Sequence, residues 1–232
     1  MPADVAAKTL TDVEVCVFDA YGTLFDLSAA AERCRDVLGE RVDRLATIWR
    51  TKQIEYTWLR SLRGDYVDFW HVTGQALDYA LLALNIVDNA LRTRLMELYF
   101  VLDAYPEAAD VLRILKAAGV KTGILSNGSP SMLVAAVRRS SFESLLGPIM
   151  SADEVKIYKP HPSVYQLAVD RMRTPAERIC FLSSNAWDAT GAANFGFRVV
   201  WINRLGAPPE QLPGAPEAEI GSLADLPALL GR

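Results

Sequence analysis

The stretch VCVFDAYGTLFD, residues 15–26, decides the fold, because in it a hydrophobic run meets a carboxylate and a turn. The apolar run VCVF predicts a short buried strand. Asp19 stands where that strand ends, and Tyr21 follows two positions later. A carboxylate in this position serves either as a nucleophile or as the cap of a turn or helix. This stretch alone leaves both functions open.

Beyond residue 103 the chain alternates between helix and strand patterns. The further predicted strands are VKTGILS (120–126), GPIMSA (147–152), RICFLSS (178–184) and FRVVWIN (197–203). The predicted helices run from Pro106 to just before Gly119 and then over residues 131–139, 162–172 and 186–195. Strands that alternate with helices predict a parallel sheet with helices on both of its faces.

The segment between the first strand and this alternating region has only helical patterns. Residues 45–62 and 74–86 carry apolar side chains at spacings of three and four residues. We therefore predict an α/β protein. Its core domain, residues 1–27 and 102–232, is a Rossmann-like, doubly wound, mostly parallel sheet. Residues 28–101 form an inserted all-helical cap domain.

Composition excludes several classes of function. The chain has 232 residues, of which 51% are hydrophobic and 22% charged, as is ordinary for a globular protein. A net charge of −4 offers no basic surface for nucleic acid or anionic lipid, so we expect neither as a partner. The most apolar long window, ALDYALLALNIV, is too short to span a bilayer.

Cysteine usage and the N-terminus indicate the cellular compartment. The three cysteines form no CxxC pair, and Cys16 and Cys180 lie in apolar runs, which predicts buried thiols. Free buried thiols suit a reducing compartment. The N-terminal sequence lacks an apolar stretch long enough for a signal peptide. We therefore expect a cytoplasmic protein.

Polar residues follow four of the predicted strands. They are Asp19, Tyr21 and Thr23 after the first strand, Ser126 and Asn127 after the second, Lys156 and Lys159 after the third, and Ser183, Ser184, Asn185 and Asp188 after the fourth. The carboxyl ends of parallel strands meet at one edge, where ligands bind in such sheets. Loops are polar for other reasons too. However, this edge combines acids, hydroxyls, amines and amides, and so predicts a catalytic site.

Four motifs appear in order along almost the whole chain. They are FDAYGTL from Phe18, LSNGSP from Leu125, YKPHPSVY from Tyr158 and SSNAWDATGA from Ser183. With them the sequence resembles the haloacid dehalogenase superfamily. Most members of that superfamily are magnesium-dependent phosphatases with a nucleophilic aspartate. The resemblance implies that Asp19 is this nucleophile.

The sequence departs from the phosphatase pattern at two positions. A second aspartate normally follows the nucleophile by two residues and protonates the leaving alcohol, but here that position is Tyr21. A phenol, with an ordinary pKa of about 10, is a poor acid near neutral pH. One of the two acids that hold the metal is replaced by Ser184, which leaves Asp188. We therefore expect no metal and no cofactor.

These departures resemble the L-2-haloacid dehalogenases, and so does the segment WRTKQIEYTWLR from Trp49 in the cap. A halide leaves carbon without protonation, so no general acid is needed. The resemblance implies hydrolysis of short L-2-haloalkanoic acids to (R)-2-hydroxy acids and halide through an ester on Asp19, with inversion at C2. Two alternatives remain at this point: a Mg²⁺-dependent phosphatase for small metabolites, and a binding protein that has lost catalysis.

The resemblance also implies functions for residues around the nucleophile. Thr23 follows Asp19 by four residues, a spacing that can bring its hydroxyl back onto the Asp19 carboxylate, or it is a simple turn residue. Lys159, rather than the nearby Lys156, would neutralise Asp19, because the Tyr-Lys-Pro context matches the family. Tyr165 would hydrogen-bond within this cluster, or it is a core tyrosine.

Residues after the fourth predicted strand would take part in hydrolysis of the ester on Asp19. The resemblance implies that Ser183, Asn185 and Asp188 position the water and support Lys159, with Asp188 helping to activate that water. Asn185 also precedes a predicted helix and suits its N-cap position.

The remaining expected site residues bind the substrate. By resemblance, Arg50 binds the departing halide; by its pattern alone, it lies on an apolar helix face from which it could reach water. Asn127 and Trp187 would complete the halide site, although Trp187 also suits a core position. The substrate carboxylate would be held by the Ser126 hydroxyl and the backbone N–H groups of Ala20 and Tyr21. The partners implied by the resemblance are a 2-haloacid, a halide ion and a second copy in a homodimer.

Overall fold

The computed structural model describes residues 9–27 and 32–232. Six strands form one sheet in the order β3-β2-β1-β4-β5-β6, and every neighbouring pair is parallel. The strands are β1 (Val15–Phe18), β2 (Lys121–Ser126), β3 (Ile149–Ser151), β4 (Ile179–Ser183), β5 (Arg198–Ile202) and β6 (Ala218–Ile220). This confirms the predicted α/β class with a parallel sheet.

The central strand β1 brings the expected site together. All four of its residues are fully buried, as its apolar sequence predicts. Its last residue, Phe18, lies opposite Ile124 of β2 and Leu182 of β4. Because β2 and β4 run parallel to β1, the three chains leave the sheet at the same edge. Asp19 therefore lies between the loops that follow β2 and β4.

The helices fall into two groups, those around the sheet and a helical block over residues 35–98. The block contains α1 (Arg35–Leu38), α2 (Val42–Arg63), α3 (Phe69–Ala83) and α4 (Asn89–Leu98), and the helices around the sheet are α5 (Ala108–Ala117), α6 (Pro130–Arg139), α7 (Pro162–Met172), α8 (Ala186–Phe195) and α9 (Leu226–Leu229). Several of the boundaries follow local signals. Asp68 caps α3 by accepting a hydrogen bond from His71 N, and Gly64 ends α2 in the left-handed conformation.

The helical block is held mainly by α2 packed on α3. Leu45 and Trp49 of α2 and Leu77 of α3 are buried, and Trp49 Nε1 donates a 2.9 Å hydrogen bond to the carbonyl of Thr73. Residues 35–98 thus form helices joined by turns and loops, without a β-strand. The division into a core and a cap at residues 28 and 101 remains a prediction, and its first boundary lies at the edge of residues 28–31, which are outside the described residues.

The sequence patterns did not predict every element. We expected a loop in the proline-rich segment 206–219, but β6 begins at Ala218 within it and pairs with β5. The sequence Ala-Glu-Ile has a charged residue at its centre and follows a proline-rich stretch, so it lacks the apolar run that marks the other strands, and it depends on the neighbouring strand for its hydrogen bonds. Helix α4 was not singled out within the helical segment. Among the described residues, no helix is long and apolar enough to cross a membrane.

Candidate active site

The carboxylate of Asp19 is buried and held at both oxygens. Asp19 directly follows β1, and its backbone N–H donates a 2.8 Å hydrogen bond to the carbonyl of Leu182. The residue is 6% exposed. Lys159 Nζ lies 3.1 Å from Oδ1, and Asn185 Nδ2 donates a 2.9 Å hydrogen bond to Oδ2. These contacts hold the carboxylate in one orientation, with its charge balanced by a buried ammonium group.

Lys159 bridges two carboxylates. Its Nζ lies 2.9 Å from Asp188 Oδ2 as well as 3.1 Å from Asp19, and the side chain is 1% exposed. The backbone N–H of Lys159 donates a 2.9 Å hydrogen bond to Asn127 Oδ1, which ties the loop after β3 to the loop after β2. Lys156, by contrast, is exposed and pairs with Asp153. Of the two lysines, only Lys159 reaches the nucleophile position.

Asp188 is fully buried in the first turn of α8. Tyr165 Oη donates a 2.8 Å hydrogen bond to Asp188 Oδ1, while Lys159 binds the other oxygen. Burial raises the pKa of Asp188, with Asp19 adding to the increase, and the charge of Lys159 opposes it. Burial also raises the pKa of Tyr165 well above its ordinary value, so its hydroxyl remains a donor. A buried acid with a raised pKa suits proton transfer.

The hydroxyl of Thr23 contacts Ser184 rather than the Asp19 carboxylate. Thr23 Oγ1 accepts a 2.9 Å hydrogen bond from Ser184 N and donates one of 3.3 Å to Ser184 Oγ. This joins the loop after β1 to the loop after β4. The expected hydrogen bond from Thr23 to Asp19 is absent among the described residues, because the tight turn after Ala20 directs the hydroxyl across to β4.

Ser183 and Asn185 shape the loop before α8. Ser183 Oγ accepts a 3.1 Å hydrogen bond from Asn185 N. Asn185 occupies the N-cap position of α8, but its side chain makes no capping hydrogen bond. Its amide donates to Asp19 and accepts from Arg50 instead. Asn185 is therefore the N-cap residue by its backbone position only, and its side chain contacts the site residues Asp19 and Arg50.

Arg50 reaches this cluster from the helical block. Its Nη2 donates a 3.0 Å hydrogen bond to Asn185 Oδ1, and its Nη1 donates one of 2.7 Å to Gln53 Oε1. Gln53 is fully buried, and its Nε2 donates to Thr73 Oγ1 at 2.7 Å and to Tyr99 Oη at 3.2 Å. The guanidinium group is thus held between the sheet edge and a buried amide.

Gln53 was missed in the sequence. The available signal was a polar side chain three residues after Arg50, on the same face of the helix and among apolar residues. A buried glutamine needs partners for both ends of its amide, so its burial predicts a specific network. The partners Thr73 and Tyr99 come from α3 and the end of α4, and they could not be identified from sequence spacing.

Two of the expected substrate-binding residues, Ser126 and Asn127, lie at the end of β2 and directly after it. Ser126 is buried, and its Oγ accepts a 3.1 Å hydrogen bond from Gly128 N. Asn127 is 7% exposed and holds Lys159, as described above. The carbonyl of Ala20 accepts hydrogen bonds from the following turn. Trp187 is half-buried and packs edge-on against Trp58 of α2 at a centroid distance of 5.4 Å, which makes it a contact between the two parts of the molecule.

A cavity of about 720 Å³ lies between α2 and the loops after β1, β4 and β5. Tyr21, Arg50 and Asn185 line it, together with the aromatic side chains of Trp49 and Tyr99. Residues of the loop after β5, including Arg204, also contribute to its lining. A mostly apolar cavity with a few convergent polar groups is typical of a small-molecule site.

The described residues contain no cluster of three or more His, Cys, Asp and Glu side chains that could hold a metal ion. Ser184 stands at one of the two acid positions that hold the metal in the phosphatase pattern, and Lys159 lies between the acids that remain, Asp19 and Asp188. The arrangement therefore offers a fixed carboxylate, an adjacent ammonium group and a second buried acid. These groups suit nucleophilic attack followed by hydrolysis of the resulting ester.

Comparison with known proteins gives a consistent family. A family model for haloacid dehalogenase-like hydrolases matches residues 13–196. The sequence is 45% identical over 221 residues to (S)-2-haloacid dehalogenase 1 of Pseudomonas sp. (strain CBS-3), covering 95% of this chain and 97% of that relative. These matches extend over both the sheet and the helical block.

Two solved structures have the same fold. One is a crystal structure of a dehalogenase with an intermediate complex, at 44% identity and a TM-score of 0.94, covering 96% of this chain and 99% of the other. The second is the L-2-haloacid dehalogenase from Xanthobacter autotrophicus with chloropropionic acid covalently bound, at 35% identity and a TM-score of 0.87, covering 94% and 98% of the two chains. These relatives are dehalogenases rather than phosphatases.

Proposed function

Because the chain belongs to the haloacid dehalogenase-like hydrolases and, within them, to the (S)-2-haloacid dehalogenases, we propose that it hydrolyses short L-2-haloalkanoic acids to (R)-2-hydroxy acids and halide. The arrangement around Asp19 carries this proposal. The buried Asp19 carboxylate is fixed by Lys159 and Asn185, and Tyr21 stands where a phosphatase would carry its second acid.

In the first step, an oxygen of Asp19 attacks C2 of the substrate from the side opposite the halogen. A C2–O bond forms while the carbon–halogen bond breaks, and its electron pair leaves with the halide. The configuration at C2 is inverted. Arg50 stabilises the charge that develops on the halogen, with Asn127 and Trp187 beside it. The fixed orientation of the Asp19 carboxylate favours this attack, because both of its oxygens already have partners.

In the second step, water attacks the carbonyl carbon of the ester on Asp19. Asp188 accepts a proton from this water and returns it to the ester oxygen of the substrate as the bond between that oxygen and the Asp19 carbonyl carbon breaks. The 2-hydroxy acid then leaves, and Asp19 is regenerated as a carboxylate with release of one proton to solvent. Lys159 and Tyr165 hold Asp188 at its two oxygens. Asp188 lies in the first turn of α8, and Ser183 and Asn185 order the loop that precedes this helix. Thr23 supports the site indirectly, by fixing the loop after β1 through Ser184.

The substrate carboxylate is assigned to the Ser126 hydroxyl and to the backbone N–H groups of Ala20 and Tyr21. Each lies at the carboxyl end of a central strand, on the same edge of the sheet as Asp19. Backbone amides in such a turn bind anions without adding a second charge. We propose that this reaction needs no metal, since the ammonium group of Lys159 already lies between the two carboxylates and offsets part of their charge.

A halide-release assay tests this function. L-2-Chloropropionate should release chloride at an undiminished rate in excess EDTA, and the product should be the (R)-hydroxy acid. Loss of all turnover in EDTA would reject the metal-independent mechanism. Hydrolysis of phosphate esters that requires added Mg²⁺, without any halide release, would reject the function itself.

We further propose a homodimer and a cytoplasmic location. The outer faces of α2 and α3 carry exposed apolar side chains: Leu59, Leu62, Tyr79 and Leu82. Leu62 is 85% exposed and Leu82 76%, which is unusual for leucines on one pair of packed helices and fits a surface covered by a second copy. The three cysteines are buried free thiols, which fits a reducing compartment.

A further inference from the structure

The hydroxyl of Tyr21 is buried and has no hydrogen-bond partner among the described residues. Tyr21 is 3% exposed and lines the cavity next to Arg50. Buried hydroxyl groups are nearly always paired, because an unpaired one has lost its bonds to water without replacement. An unpaired phenol that lines the cavity therefore points to a partner supplied by the bound substrate.

The surroundings of the ring fix where this hydroxyl lies. The ring stacks on Phe69 and meets Tyr99 edge-on, with both centroid distances at 6.0 Å. It also lies against Gly128, where an added Cβ would come within 2.9 Å of Tyr21 Oη. Only glycine permits this approach. The hydroxyl is thus held beside the loop after β2, next to Asn127.

The charge next to the phenol is positive on the side of the helical block. Gln53 links Arg50 to Tyr99, whose ring contacts Tyr21. Burial, with smaller contributions from Tyr99 and Asp19, raises the pKa of Tyr21 far above its ordinary value, and Arg50 only partly opposes this. The phenol therefore stays protonated over the whole assay range. Its available chemistry is that of a hydrogen-bond donor to an anion.

We propose that Tyr21 Oη donates a hydrogen bond to the halogen as it leaves the substrate. This proposal rests on the proposed function. As the Asp19 oxygen bonds to C2, the carbon–halogen bond breaks and its electron pair stays on the halide. No proton is transferred, so Tyr21 acts as a donor and not as an acid. The halide beside Arg50 then supplies the partner that the phenol lacks.

The substitution Tyr21→Phe tests this assignment, because it removes the hydroxyl and keeps the ring packed on Phe69. Chloride accepts hydrogen bonds more strongly than bromide. The kcat/KM for L-2-chloropropionate should therefore fall about tenfold, and that for L-2-bromopropionate should fall less. The inhibition constant for added chloride should rise. An equal loss with both substrates, or no change in either, would overturn the proposal.

Tyr158→Phe is the matched control. Tyr158 packs against the same Phe69 at a centroid distance of 6.1 Å, but its hydroxyl already donates a 2.6 Å hydrogen bond to Val67 O. This variant should keep the wild-type ratio of the two kcat/KM values. A ratio that changes as much in Tyr158→Phe as in Tyr21→Phe would show a general packing effect and overturn the assignment.

A measurement on the wild-type protein covers the case in which Tyr21→Phe does not fold. Crystals soaked in bromide should show an anomalous peak within hydrogen-bond reach of both Tyr21 Oη and Arg50. Bromide bound to Arg50 but beyond reach of Tyr21 Oη rejects this inference alone. A wild-type protein that releases no halide from any 2-haloacid rejects the proposed function and this inference with it.

Discussion

Arg50 and Asn185 are joined by a 3.0 Å hydrogen bond, although they are 135 residues apart and belong to the helical block and the sheet edge. Asn185 in turn donates to Asp19. One carboxamide therefore connects the proposed halide-binding cation to the proposed nucleophile. The attacking and leaving groups of the displacement are positioned against each other through this contact, which exists only while the helical block lies on the sheet.

The buried amide of Gln53 should control how well Arg50 is positioned. Gln53→Leu removes the acceptor for Arg50 Nη1 and takes away the amide group that donates to the hydroxyls of Thr73 and Tyr99. We expect kcat/KM to fall about tenfold to a hundredfold and the free energy of unfolding to fall by about 1–3 kcal/mol. Halide-release kinetics and denaturant titration measure the two effects.

The control for Gln53 is Gln75→Leu. Gln75 also accepts a hydrogen bond from an arginine of α2, Arg60, but it is partly exposed and outside the cavity. It should change neither kcat nor chloride inhibition. A Gln53→Leu enzyme with lower stability but with wild-type kcat and chloride inhibition would show that Gln53 is only structural.

Asp19→Asn should abolish covalent catalysis. The amide is a far weaker nucleophile, so turnover should fall at least about 10⁴-fold. Mass spectrometry of wild-type protein quenched during turnover should detect the ester adduct on Asp19, and the variant should show none. The matched control is Asp153→Asn, which disturbs another Lys–Asp pair, that with Lys156, away from the site. Appreciable turnover by a pure Asp19→Asn protein contradicts the assignment.

The raised pKa of Asp188 predicts the acidic limb of the pH profile. Ester hydrolysis needs Asp188 ionised, so kcat should fall as the pH drops through a pKa above the ordinary value of 3.8. Tyr165 donates a hydrogen bond to Asp188, which favours the ionised form and lowers its pKa. Removing that bond in Tyr165→Phe should move the acidic limb to higher pH.

Tyr66→Phe is the control for this shift. It removes a phenol–aspartate hydrogen bond of the same length, 2.8 Å to Asp153, outside the cavity. Its kcat–pH profile should match that of the wild type. If the limb stays in place in Tyr165→Phe, or moves to lower pH, then Asp188 is not the group that titrates.

The exposed leucines of α2 and α3 should mediate dimerisation. The double variant Leu62→Glu and Leu82→Glu places charge in that face, so its sedimentation should report a monomer where the wild type reports a dimer. Leu212→Glu, at another exposed leucine between β5 and β6, should remain dimeric. A wild type that is monomeric at micromolar concentration, or a double variant that stays dimeric, contradicts the proposed interface.

Much of the fold and part of the site could be predicted because the signals are local. Strand β1 and the alternating elements after residue 103 follow from apolar periodicity. Asp19 and Lys159 could be singled out because each lies in a short motif at the end of a strand. Strand β6 could not, since its sequence Ala-Glu-Ile contains no apolar run and its pairing depends on β5.

The sequence by itself determined which residues follow strands and so lie at one sheet edge, because strands that alternate with helices are parallel and end on the same side. The order of the strands came from the structure alone. Only the tertiary structure decided the distant partners: Thr23 with Ser184, Arg50 with Asn185, and Tyr21 with none among the described residues. These contacts depend on how the loops at the sheet edge and the helical block are placed relative to one another. A hydrogen bond needs its atoms placed to within a few tenths of an ångström, and sequence spacing carries no information at that scale between residues so far apart.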